Sequence, residues 1–65
     1  MEYKISLKAA RVNAGLMQSE VAEKLGKSKQ TIGSWEKGKT QPKATELTAL
    51  CCLYGIPTEC ILLKP

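Results

Sequence analysis

Residues 18–37 read Gln18-Ser19-Glu20-Val21-Ala22-Glu23-Lys24-Leu25-Gly26-Lys27-Ser28-Lys29-Gln30-Thr31-Ile32-Gly33-Ser34-Trp35-Glu36-Lys37. Val21, Ala22 and Leu25 share one helical stripe at i, i+1 and i+4, and Ile32 and Trp35 form a second at i and i+3. Between the stripes stands Gly26, where a short reversal calls for a left-handed backbone that glycine adopts at little cost. Two short amphipathic helices facing each other across a tight turn are therefore predicted, with Ala22 as the small residue where they cross. This is helix-turn-helix spacing.

Outward from that stretch, Leu7, Ala10 and Ala14 recur at helical intervals before Gly15 and Leu16, predicting a first helix over residues 5–14 closed by a glycine with an apolar contact after it. The second helix is expected from Met17 or Gln18 to Leu25. Ser28 is a suitable N-cap for the third, which runs to about Lys37 and stops at Gly38. Lys39 to Lys43, with Pro42 inside, reads as a basic loop. Leu47, Leu50, Cys51 and Tyr54 form the apolar stripe of a fourth helix over residues 44–54, ended by Gly55, and Thr58 is expected to cap a last helical turn to Leu62. The expected fold class is all-α, a compact arrangement of five helices in a single domain over residues 1–65.

Sixty-five residues with one Trp, two Tyr and no Phe imply a small, mostly aliphatic core, which suits a helical bundle better than a sheet. Five lysines (Lys27, Lys29, Lys37, Lys39, Lys43) against one acid, Glu36, match in one stretch the whole net charge of +4. A local excess of this kind favours a polyanionic partner. No apolar run approaches the roughly 18 residues of a membrane span, and no basic-then-apolar leader follows Met1, so a cytoplasmic protein without membrane association is expected. Catalysis finds no support, since the chain has no His, no acids paired for proton transfer and no phosphate-cradling glycine loop. No cofactor or metal is expected either. Cys51 and Cys52 diverge by about 100° on a helix and no Cys-x-x-Cys pair exists, so Cys51 is read as core, Cys52 as surface and all three thiols as reduced.

The residues Gly15-Leu16-Met17-Gln18, Val21-Ala22, Leu25-Gly26, Ser28, Thr31-Ile32, Trp35-Glu36 and Gly38-Lys39 resemble the Xre family, the phage-repressor and Cro type of helix-turn-helix domain. The resemblance spans about Leu7 to Leu62 and rests on many residue types at fixed offsets. It implies a five-helix, lambda-repressor-like domain that binds operator DNA as a homodimer with its third helix in the major groove. It further implies a partly buried salt bridge between Arg11 and Glu36. The chain departs from the family pattern at Lys27, where an apolar residue is usual, and at Ala10, where a larger aliphatic one is common. Met17, Tyr54 or Trp35 is expected to fill the space at Ala10.

At 100° per residue, the face of the third helix opposite Ile32 and Trp35 carries Gln30, Gly33, Ser34 and Lys37, with Lys29 and Thr31 on its flanks. Base contacts are expected from Ser28, Lys29, Gln30, Gly33 and Ser34, with the Gln30 amide able to donate and accept at once on adenine N6 and N7. Phosphate contacts are expected from Gln18, Lys27, Thr31, Lys37, Lys39, Thr40, Gln41 and Lys43. Gln18 would add the free amides and positive dipole end of the second helix. One recognition helix covers only a few base pairs, so a weak homodimer assembled on double-stranded DNA is expected, with Tyr54, Pro57, Cys60, Ile61 and Leu63 at its interface. A rival reading makes the same fold an antitoxin or adaptor that neutralises a partner protein. The expected role is a transcriptional regulator, a repressor acting on a palindromic operator.

Overall fold

Ser6, Ser28 and the glycines at 15, 26, 38 and 55 divide the chain into helices, and the computed structural model, which describes residues 4–63, follows those marks. The helices are α1 (Leu7–Asn13), α2 (Gln18–Leu25), α3 (Lys29–Lys37) and α4 (Ala44–Tyr54), followed by a single 3-10 turn at Thr58–Cys60. The Ser6 hydroxyl accepts the Ala9 amide at 3.1 Å, so α1 begins after Ser6 and not at Ile5. Two starts lack a capping hydroxyl. There a glutamate three residues on takes the exposed amide instead, Glu20 that of Met17 at 2.8 Å and Glu46 that of Lys43 at 2.7 Å.

The turn between α2 and α3 is made by Gly26 at φ +67, and the amide of Lys27 then closes back on the Ala22 carbonyl at 2.9 Å. A residue with a β-carbon would be strained at that φ. The short turn leaves α2 and α3 no choice but to pack on each other, and Val21, Ala22, Ile32 and Trp35 are all buried between them and their neighbours. Burying an aliphatic or aromatic side chain of this size stabilises by about 1.5–3 kcal/mol, so these inward residues fix how α3 is presented. Leu7 and Ala10 of α1 and Leu50, Cys51 and Tyr54 of α4 complete the same core. Trp35 and Tyr54 are buried in the same cluster as Ala10, whereas Met17 is 66% exposed and lies outside that cluster.

The end of the chain differs from expectation. In place of a fifth helix over residues 58–62 there is the one 3-10 turn, with Pro57 at its N-cap position and no side-chain cap. Ile61 then turns extended and forms an isolated parallel bridge with Ile5, through Ile5 N–H to the Cys60 carbonyl and Leu62 N–H to the Ile5 carbonyl, both 2.8 Å. Helix cannot continue through Ile61 while its backbone is committed to that pairing. Cys60 and Ile61 are consequently 2% and 8% exposed, and Tyr54 is buried on the α4 stripe. These three residues, expected at a contact between two copies, belong to the core of one. Of the expected interface only Pro57 and Leu63 remain at the surface, next to the exposed Leu62.

Burial, helped by the negative charge of Glu36 and opposed by Arg11, pushes the Tyr54 phenol up from 10.0 to about 12. Between pH 10 and about 12 the unfolded chain loses this proton while the folded one keeps it, so stability falls as pH rises through that window. Urea titrations from pH 9 to 12 should show a decline that is flatter in Tyr54→Phe; equal declines in both proteins would contradict the upward shift of the phenol.

Candidate nucleic-acid interface

Ser28 begins α3 by accepting the Thr31 amide at 3.1 Å, and the Ser28 and Thr31 hydroxyls also bond each other at 3.0 Å. Gly38, at φ +80, ends the helix, with the Lys39 amide closing on the Ser34 carbonyl at 3.0 Å. Between these stops Ile32 and Trp35 face inward, and the helix has no other apolar side chain to bury. Its outer face forms one wall of an open furrow lined by Gln18, Lys29, Gln30, Gly33, Ser34, Lys37 and Lys39. Seven of the residues expected at the interface therefore stand together, three of them lysines.

The remaining expected residues lie outside that furrow. Lys27 is turned to α4, where its ammonium pairs with Glu46 Oε2 at 2.7 Å. Thr31 is half-buried with its hydroxyl on Ser28, and Thr40, Gln41 and Lys43 are exposed on or just after the loop that follows α3, which is held down by the buried Pro42. The Glu46 carboxyl is held below the usual carboxylate range, first by the Lys27 ammonium and then by the Lys43 amide.

Behind the furrow is a network of ionic and amide groups. Arg11 Nε donates to Glu36 Oε2 at 2.7 Å, a second guanidinium nitrogen reaches Glu36 Oε1 at 3.3 Å, and the third donates to the Leu16 carbonyl at 2.9 Å. Both side chains are largely buried, 11% and 5% exposed. The hydrogen bond that it donates to Glu36 pushes the Arg11 guanidinium further above its ordinary value, so it is a permanent cation. Glu36 Oε1 also accepts from Gln18 Nε2 at 3.0 Å. One carboxylate thus joins α1, the start of α2 and the end of α3.

Sequence reasoning missed three side chains at the rim. Arg11, Met17, Gln18, Ser19 and Lys29 line a hollow beside the furrow, and Lys8 lines another with Gln18, Gly33, Glu36 and Lys37. The spacing carried a signal for two of them: Lys8 lies one helical turn before Arg11, and Ser19 is the second residue of α2. Cys51 and Cys60 are buried and Cys52 is exposed, and all three thiols are free. No helix among the described residues is long and apolar enough to cross a membrane.

The chain matches the family model described as helix-turn-helix over residues 7–59. It is 36% identical over 56 residues to the SPbeta prophage-derived uncharacterized HTH-type transcriptional regulator YonR of Bacillus subtilis (strain 168), an overlap covering 86% of this chain and 52% of that protein. It is also 36% identical over 58 residues to the HTH-type transcriptional regulator ImmR of the same strain, covering 89% and 46% respectively. The chain spans about half the length of these curated relatives. No solved structure matches it.

Proposed function

The chain belongs to the Xre-like helix-turn-helix family, and from that premise we propose that it binds double-stranded DNA as a transcriptional regulator, with α3 lying in the major groove. The observation that carries this reading is the furrow. The polar face of α3 is set opposite its Ile32 and Trp35 anchor, with Lys29, Lys37 and Lys39 along the side that a phosphate backbone would follow. A helix fits a major groove about 12 Å wide, and lysines along its margins attract phosphates whatever the sequence.

Gln30 is exposed on that face and suits a bidentate contact to adenine, with Ser34 one turn on. Lys29 suits guanine or a phosphate near the helix start, and Lys37 and Lys39 suit phosphates. The amides of the first turn of α2 have no acceptor within the helix and can join Ser19 and Arg11 on a phosphate. The regulator is a repressor on a palindromic operator, bound as a weak homodimer that forms on DNA. Two copies one helical turn apart supply the specificity that one α3 lacks, and exposed Leu62 and Leu63 offer apolar surface for their contact.

Selection from random duplexes with the purified protein tests the reading. An inverted repeat with half-site centres about 10 base pairs apart is expected, and binding to it should weaken steeply as salt rises. Gln30→Ala should cost about 1–3 kcal/mol and relax preference at one base pair of each half-site. Lys39→Ala should instead weaken all duplexes alike and lower the salt slope by about 0.9. Enrichment of no sequence over background would overturn the reading.

A further inference from the structure

Gly33 leaves a vacancy in the middle of the recognition face, and a side chain from another helix lies over it. A β-carbon built on Gly33 would meet only Gln18, at 3.7 Å from Nε2 and 3.9 Å from Oε1. Gln18 belongs to α2, yet it lines the same furrow as Gln30 and Ser34. Its amide therefore occupies ground next to where a side chain of residue 33 would begin.

The orientation of that amide is fixed by chemistry. Its partner is the Glu36 carboxylate, which only accepts, so the atom 3.0 Å from Glu36 Oε1 must be the nitrogen. Glu36 cannot swing away, because Arg11 holds it through two nitrogens. One N–H of Gln18 is thereby used, and one N–H and Oε1 remain with no partner among the described residues. A donor and an acceptor on one planar group are what adenine N6 and N7 require in the major groove.

We propose that Gln18 is a specificity-determining residue: its clamped amide reads a base edge in place of the side chain that Gly33 lacks. This deepens the DNA-binding reading and rests on it. It also revises the sequence expectation that Gln18 serves only a phosphate. Arg11 and Glu36 act as positioning residues, since Glu36 holds the reading amide and Arg11 holds Glu36.

The test compares wild-type protein and Gln18→Ala on the duplex selected by the wild type and on every single-base variant of one half-site. The expected result is that Gln18→Ala loses about tenfold discrimination at one base pair, next to the pair read by Gln30, and keeps its preference elsewhere. Gly33→Gln in the Gln18→Ala background should create a new preference at that same pair. Equal weakening of all duplexes would make Gln18 a phosphate ligand and overturn the proposal, as would unchanged discrimination at every position. Failure of the wild type to select any sequence would remove the underlying reading as well, a result distinct from either. Circular dichroism on each variant separates loss of discrimination from loss of fold.

Discussion

Glu36→Ala is expected to lower the unfolding free energy by about 3 kcal/mol and to lose discrimination at the base pair assigned to Gln18. The carboxylate is buried beneath the furrow and accepts from Arg11 twice and from Gln18 once. Its removal strands a guanidinium that is only 11% exposed and retains one protein acceptor, the Leu16 carbonyl. Breaking a buried pair from one side costs about 3–5 kcal/mol, and the residual exposure of Arg11 puts this case at the low end. A chain of this length has only about 3–10 kcal/mol in total, so the variant sits near its unfolding threshold. The penalty is of a kind that replacing both partners by apolar residues removes. Arg11→Met combined with Glu36→Leu should therefore recover most of the lost stability in urea titration while still failing to discriminate at the one base pair assigned to Gln18, whose amide has lost its anchor. A double variant no more stable than Glu36→Ala would contradict the stranded-charge argument.

Trp35→Ala is expected to be the most damaging single truncation, at about 3–5 kcal/mol. Trp35 is 5% exposed and, with Ile32, ties the inward face of α3 to the core. A domain of this size shifts by about 4–8 °C in Tm for each kcal/mol, so thermal melts followed by circular dichroism should drop by at least about 12 °C. Trp35→Phe, which keeps most of the apolar volume, should fall much less. A Trp35→Ala loss below about 1 kcal/mol would mean that α3 is not anchored as described, and the outward placement of Gln30 and Ser34 would lose its basis.

Local chemistry made the helices readable. A capping hydroxyl at Ser28, stop glycines and apolar stripes at helical intervals each act within a few residues, and the bounds of α2, α3 and α4 follow from them. The outer face of α3 was readable for the same reason, because a helix whose inward residues are known has its outward ones determined. What the sequence hid depends on partners far along the chain. Lys27 looked like a free cation until Glu46, nineteen positions later, was brought to it. Gln18 looked like a phosphate ligand at a helix start, yet its partner Glu36 lies on another helix. Cys60 and Ile61 looked like surplus apolar residues because the partner that draws Ile61 inward is Ile5, fifty-six positions earlier.

That pairing of Ile5 with Ile61 has a mechanical meaning. The two segments run parallel, so tension applied between residues 4 and 63 pulls them in opposite directions along their length and loads both 2.8 Å hydrogen bonds together, in shear. Bonds sharing a load resist it better than bonds opened one after another. A pull transmitted through flanking chain thus meets this clasp before it reaches α1 or α4, and α3 is shielded from strain arriving at either end.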